Sequence, residues 1–393
     1  MTKVSIIGAG IGGPVLALAL QDIGVEASVY EEHPVAADGV GSFMNIAPNG
    51  LQAVEGIGLA DYIRNVGFFT PAMAFYNRNG RRLTGDIPFD AKGGTGNTTL
   101  MRSDLYRALR DKVLERNIPV HYGKRFVDAE QHGDVITTKF ADGTSEDSDL
   151  VVGADGLYSR VRQYVDPLAA TPRYLGVLNA WGFVPEYKIT EAPGVIRMYF
   201  NRKCFFMLTQ APSGDLYWYA NPVYPKRPFV DELPDGEEWR RTLLAMVEKE
   251  GSPARDIIRA TPQMVRPFTN CDMPEVARWR RRRAVLMGDA AHAASPTSGS
   301  GASVAIEDAV TLAKCLRDEK SIEVALAVYE QNRRPRAESI VAQGAKNVRG
   351  NTAGPIGSLF RDALIRRKFS GRDQPLWTHQ HKIEWDSPTK STV

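Results

Sequence analysis

"KVSIIGAGIGGPVLALALQDIGVEASVYEE", residues 3–32, reads as strand, tight turn, helix and strand, and this reading decides the fold. Val4, Ser5, Ile6 and Ile7 make a short β-rich run that stops at Gly8. Apolar residues then recur at helical spacing (Val15, Leu16, Ala19, Leu20) before the β-rich "EASVYE". Gly8, Gly10 and Gly13 satisfy G-x-G-x-x-G where a strand hands over to a helix. The first glycine permits the turn, the second lets the backbone approach a pyrophosphate, and the third lets the helix pack on the sheet. The helix N-terminus then favours the anion. Glu31 closes the second strand, where it is placed to accept hydrogen bonds from an adenosine ribose. The pattern predicts a Rossmann-like dinucleotide site and leaves NAD and FAD open.

Two further stretches carry the same chemistry. "SDLVVGADGLYSRVR", residues 148–162, is a buried strand running into a turn with Asp155 and Gly156, followed by a short helical segment with Ser159 and Arg162. "GDAAHAASPTSGSGASVAIEDA", residues 288–309, follows a strand starting at Ala284 and leads into a helix expected over 302–316. Asp289, His292 and Ser295 are spaced three apart with no G-x-S-x-G elbow, so they do not read as a hydrolytic triad. The loop is not closed by Gly-Lys-Ser/Thr, which removes a P-loop, and its tight flanking elements remove a linker.

With "GAGIGG", "GADGLYSRVR" and "GDAAHAASPTSGSG" in this order, the chain resembles the single-component FAD-dependent monooxygenases of the para-hydroxybenzoate hydroxylase type over residues 1–345. "APNG" (47–50), "LMRSDLYRAL" (100–109) and "YEQNRRPRA" (329–337) are smaller echoes. The resemblance implies FAD as cofactor, with NAD(P)H and O2 as co-substrates. Gly8, Gly10, Gly13 and Glu31 would hold the ADP part, and Arg102 the phosphate or ribityl region. Asp155, Gly156 and Arg162 would serve the pyrophosphate and the passing NAD(P)H. Gly288 and Asp289 would bind the ribityl chain, and Pro296, Gly299, Gly301 and Ala302 would lie along the isoalloxazine. The implied reaction passes oxygen from a flavin C4a-hydroperoxide to an electron-rich aromatic, heteroaromatic or polyketide-like molecule. An epoxidase, an antibiotic-inactivating monooxygenase of the tetracycline or rifamycin type and a non-catalytic flavin-binding protein remain as alternatives. The Trp-x-Trp-x-Ile-Pro signature of flavin halogenases is absent.

Two positions depart from the family. Phe43 stands where relatives carry a small residue, in a loop expected beside the flavin, and would narrow that space or shape the substrate pocket. Ser303 stands where relatives often have Asn. Glycines at 299 and 301 would let the N-terminus of the following helix approach an anionic flavin. His292 is a candidate proton shuttle weighed against a structural role in the loop.

Bulk composition narrows the class. The 393 residues, 43% hydrophobic and 24% charged with a net charge of +3, suit a soluble protein and give no reason to expect nucleic acid. The basic run at Arg280, Arg281, Arg282 and Arg283 is expected as the solvated rim of a strand. Cys204, Cys271 and Cys315 show no metal or redox spacing, which fits a cytoplasmic protein without disulfides. No metal site is expected, nor a membrane span, and the protein should be a monomer or homodimer.

The expected architecture is α/β: a discontinuous Rossmann-like FAD-binding domain (1–72, 98–170, 273–345), an inserted mostly β substrate domain (73–97, 171–272) and a C-terminal helical tail (346–393). Trp181, Phe183, Tyr199, Phe205, Met207, Tyr217 and Tyr219 make the inserted sheet rich in large side chains, with either alternation able to face the flavin.

Overall fold

The computed structural model describes residues 2–36, 41–89, 96–351, 353–369 and 376–389. Strand β1 (Lys3–Ile7), helix α1 (Gly12–Asp22) and strand β2 (Glu26–Tyr30) form the expected opening unit. They belong to a six-stranded sheet ordered Arg280–Arg281, Ala284–Leu286, Leu150–Gly153, β1, β2, Val120–His121. Pairing is parallel throughout except at the Arg280–Arg281 edge. Ile6, Val151, Val152, Val285 and Leu286 are buried, as a parallel sheet covered on both faces requires. Helix α1 packs beside the helix Gly301–Asp318, which begins one residue before the expected start.

The basic run forms the edge hairpin, and three of its four arginines find local partners. Arg280 reaches Glu330 at 3.1 Å, Arg281 donates to the Tyr164 carbonyl at 2.8 Å, and Arg283 meets Asp134 at 2.5 Å.

The second layer is a seven-stranded sheet ordered Phe268–Asp272, Arg173–Val184, Leu216–Pro222, Cys204–Gln210, Ile196–Phe200, Ala72–Asn77, Ile87–Pro88. One face carries Cys204, Phe206, Leu208 and Trp218, which bury Trp239 and Leu243 of the expected helix Gly236–Val247. They also bury Ile257 and Ile258 of a second helix, Ala254–Ala260. The other face turns to strand β3 (Phe43–Ile46), where Tyr217 lies 5.7 Å from Phe43 and 5.9 Å from Phe68 between ring centroids. Alternation thus sends Tyr217 to one side and Trp218 to the other. A Cβ at Gly182 would sit 2.5 Å from the indole of the buried Trp218. Gly182→Ala is expected to cost about 1–3 kcal/mol by overpacking, read as a lowered unfolding midpoint.

Beyond the 30-residue helix Ile322–Asn351, the α-helix among the described C-terminal residues is Pro355–Lys368. Residues 376–389 correct the expected helical tail: apart from the 3-10 turn Trp377–His379 they run as a non-helical strap. Its backbone groups find side-chain partners in place of helical ones. The Gln52 amide brackets Ile383, donating to its carbonyl at 3.0 Å and accepting its N–H at 2.8 Å. Arg317 lies over the Trp385 ring at 4.9 Å. Among the described residues no helix is long and apolar enough to cross a membrane.

Candidate active site

The Rossmann turn shows why its glycines differ. A Cβ on Gly8 (φ +112°) would lie 2.4 Å from the Ala154 carbonyl oxygen, and one on Gly13 would lie 2.1 Å from the Gly8 oxygen. A Cβ on Gly10 would meet nothing within 4 Å. Gly8 and Gly13 are therefore demanded by the fold, whereas Gly10 borders open space at the start of α1. Glu31 reaches this turn, accepting from the Ala9 N–H at 2.9 Å and the His33 N–H at 3.0 Å.

The second motif lies against the first but is directed inward. Asp155 accepts from the Ser159 hydroxyl at 2.5 Å and from the amides of Arg160 and Val161 at 2.7 and 3.1 Å, so its carboxylate caps the helix Arg160–Val165. Gly156 takes φ +77° to make the turn. Arg162, expected near the pyrophosphate, is only 3% exposed and donates to the carbonyls of Ala290 (2.9 Å) and Leu157 (2.7 Å). Its guanidinium ties the second motif to the third, because those two carbonyls are the acceptors within reach of a buried charge.

The strand Ala284–Leu286 delivers Gly288 (φ +57°) and then Asp289, whose side chain is exposed. Surrounding protein pushes the Asp289 carboxyl above its ordinary value, against the pull of His292 and of Arg102. Arg102 opens the helix Arg102–Glu115 and is exposed there. After the 3-10 turn Pro296–Ser298, Gly299 adopts φ +64° and the helix Gly301–Asp318 begins. Pro296 and Gly299 are exposed, and Gly301 and Ala302 are partly buried. Cβ atoms added at Gly299 and Gly301 would have no neighbour within 4 Å. The first-turn amides of Gly301, Ala302 and Ser303 have no acceptor within their own helix, and the helix dipole adds partial positive charge there.

Ser303 has a role that sequence comparison with the family did not supply. Its hydroxyl accepts the Ala47 N–H at 2.9 Å, and a Cβ on Gly50 would come within 2.8 Å of the Ser303 Cβ. Helix α2 (Pro48–Ala53) is thereby held against the start of the helix at 301. Phe43 is 5% exposed with its ring on Tyr217, on the wall between the layers.

Beneath this surface lies a buried ionic network. His292 is 4% exposed, stacked on Trp279 at 5.3 Å, with Nε2 2.5 Å from Asp308. Asp308 also accepts from the Gly288 N–H at 2.9 Å and from Arg333 Nε at 2.7 Å. Glu307 meets Arg333 at 2.6 Å, Arg336 at 2.8 Å and the Asn49 amide at 2.7 Å. Burial alone would raise Asp308, yet His292 and Arg333 outweigh it and hold the carboxyl at about 2. Burial lowers His292, but Asp308 more than compensates and its pKa is raised. Of the two sequence readings of His292, proton shuttle or structural residue, these contacts support the structural one: its ring is stacked on Trp279 and its Nε2 is held by Asp308. The sequence signals for the network were the adjacent acids in "ASVAIEDAVTLAKCL" and the arginines of "YEQNRRPRA".

Open space at Gly10, Gly299 and Gly301, with Glu31 at one end and Asp289 at the other, fits an elongated dinucleotide lying between two helix N-termini. Comparison with known proteins places the chain in a class. The FAD binding domain family matches residues 1–344, and the chain belongs to it. It is 30% identical over 349 residues to an FAD-dependent urate hydroxylase from Klebsiella pneumoniae, covering 88% of this chain and 89% of that one. It is 32% identical over 380 residues to the aurachin C monooxygenase/isomerase of Stigmatella aurantiaca, covering 94% and 95%. The solved structure of Klebsiella pneumoniae HpxO complexed with FAD and uric acid superposes with a TM-score of 0.82 at 28% identity, covering 93% of each chain. The protein is an FAD-dependent monooxygenase, with the Rossmann-like fold expected from its first thirty residues.

Proposed function

We propose that the protein hydroxylates an electron-rich aromatic or heteroaromatic small molecule in the cleft between the two sheets, using NAD(P)H and O2. The observation that carries the site assignment is the open space at Gly10, at the start of α1, and at Gly299 and Gly301, at the start of an 18-residue helix. FAD supplies the redox chemistry, taking reducing equivalents from NAD(P)H and activating O2. Glu31 receives the adenosine ribose, and Gly8, Gly10 and Gly13 seat the pyrophosphate at the start of α1. Asp289, presented by Gly288, and Arg102 take the ribityl region. Pro296, Gly299, Gly301 and Ala302 lie along the isoalloxazine, where unpaired first-turn amides favour negative charge on the ring system. Asp155, Gly156 and Arg162 shape this floor from behind through internal contacts. Phe43 and Tyr217 form the wall that excludes water from the reacting ring.

The division into 1–72, 98–170 and 273–345 against 73–97 and 171–272 follows the same reading. Three buried free thiols, Cys204, Cys271 and Cys315, support a reducing cytoplasm, where the enzyme works as a monomer or homodimer. The test is NAD(P)H oxidation under ¹⁸O2 with a panel of phenols and nitrogen heteroaromatics. The expected result is substrate-dependent oxidation with one labelled oxygen in the product. Oxidation yielding no oxygenated product from any panel member would overturn the proposal.

A further inference from the structure

We propose that the substrate is an uncharged, lipophilic phenol or nitrogen heteroaromatic, and that the cavity discriminates against molecules carrying a carboxylate; this rests on the hydroxylase reading above. The strand register places the roof of the cavity. Trp181 pairs with Tyr219, Tyr219 with Met207, Met207 with Met198 and Met198 with Phe75, so one row of five side chains crosses the face turned to β3. Phe183 pairs with Tyr217 in the next row. This face is covered by Phe43 on one side and by Phe369, at the end of the helix Pro355–Lys368, on the other. Even so, Trp181, Phe183, Met198, Met207 and Tyr217 are only partly buried. Residual exposure on a covered face marks the space that a ligand would fill.

Among the described residues the strands of this face supply that space no cation, and the nearby Arg361, over the Phe200 ring at 4.3 Å, is paired with Asp362 at 2.9 Å. Across residues 73–77, 179–184, 196–200, 204–210 and 216–222 the one charged residue is Arg197. It pairs with Leu208 on the opposite face, is 3% exposed, and donates to the Ala192 carbonyl at 2.7 Å. The amide N–H groups of Asn221 and Asn270 are also spent within the sheet, and their unpartnered Oδ1 atoms are acceptors that offer a carboxylate nothing. Asn179 Oδ1 accepts from the Tyr219 hydroxyl and from Asn221 and Asn270 at 2.9 Å each, while Asn221 also donates to the Leu178 carbonyl at 3.1 Å. A cavity of about 250 Å3 opens beside Tyr217, Phe68 and Met101, and the one charged group lining it is the acid Asp104. Arg102 lies close enough to Asp289 to pull its carboxyl pKa down, and is read with it as part of the cofactor's region.

A carboxylate entering here loses its hydration and gains no counter-charge, which is unfavourable however well its ring fits. A neutral flat ring gains the offset contacts that Trp, Phe and Tyr offer, and the flexible thioethers of Met198 and Met207 accommodate apolar substituents of varied shape.

The test uses the FAD-loaded enzyme and two probe pairs: 2-naphthol against 6-hydroxy-2-naphthoate, and 4-heptylphenol against 4-hydroxybenzoate. Binding is read as perturbation of the flavin absorbance, independent of turnover. The neutral member of each pair is expected to bind about 100-fold more tightly, the carboxylate being left unpaired. Met207→Arg, or Met198→Arg should the first variant not retain FAD, is expected to shift that ratio toward the carboxylate by about tenfold or more. Carboxylates that bind the wild-type enzyme as tightly as their neutral partners would overturn the inference. So would binding of neither member of both pairs, or an FAD-retaining arginine variant with an unchanged ratio. A protein that takes up no FAD instead removes the hydroxylase reading on which the inference stands.

Discussion

Gly301→Val is expected to leave the polypeptide folded and to weaken FAD binding roughly 100-fold or more, the equivalent of about 2.7 kcal/mol. A Cβ at this position meets no neighbouring group within 4 Å, so the protein itself has no reason to object to a larger side chain. The isopropyl group would instead occupy the approach to the first-turn amides of the helix Gly301–Asp318. Gly10→Val should behave alike at the other end of the cofactor, since Gly10 also borders open space. Gly8→Ala and Gly13→Ala are the contrasting pair. Their added carbons would fall 2.4 and 2.1 Å from backbone oxygens, so these variants should lose the fold itself. Circular dichroism and FAD titration on the four proteins separate the two kinds of glycine. A Gly301→Val protein with wild-type FAD affinity would contradict the proposed seat of the isoalloxazine.

The second large effect is expected in the buried network. Arg333 is 1% exposed and donates to both Asp308 and Glu307. Arg333→Met should destabilise the protein by about 3–5 kcal/mol, because it leaves buried carboxylates short of a cation. The measurement is denaturant unfolding of the apoprotein, and a midpoint within error of wild type would contradict the role assigned to the network. Its pH dependence has a defined sign. Asp308, lowered from 3.8 to about 2, contributes stability that is present above about pH 4 and lost as pH falls toward 2. His292, raised from 6.5, contributes stability that is full below 6.5 and lost as pH rises through its folded value. The pair therefore favours the weakly acidic range. Asp308→Asn removes the partner that raises His292, so the alkaline decline should disappear along with the acid one.

Much of the first layer was legible because its positions are constrained by backbone chemistry. Gly8 and Gly13 are needed where chain meets chain, and Gly288 with Asp289 closely follows the strand Ala284–Leu286, so spacing alone locates them. The roof was not legible in the same way. Tyr217 and Trp218 are neighbours of similar character, yet one lines the cleft and the other donates its indole N–H to Thr261 at 2.9 Å in the core. Both faces of that sheet are apolar, so alternation had nothing to read against. The partner of His292 was hidden for a different reason: Asp308 lies 16 residues on, buried inside a helix whose pattern otherwise reads as apolar core. Arg162 misled similarly, since an arginine beside a phosphate-binding loop looks like a ligand contact until its carbonyl partners are seen. The strap at 376–389 has no periodicity of its own, and its position depends on Gln52, Arg317 and Gly56 far earlier in the chain.

The most direct measurement of the central claim is a fluorescence titration of the apoprotein with FAD and, in parallel, with FMN. The site described here runs from Glu31 and Gly10 to Asp289 and Gly301, so it needs both halves of the dinucleotide. The expected result is FAD binding at one equivalent per chain, with FMN at least roughly 100-fold weaker for want of the ADP contacts at the Rossmann turn. Equal affinity for FMN, or no uptake of FAD, would contradict it.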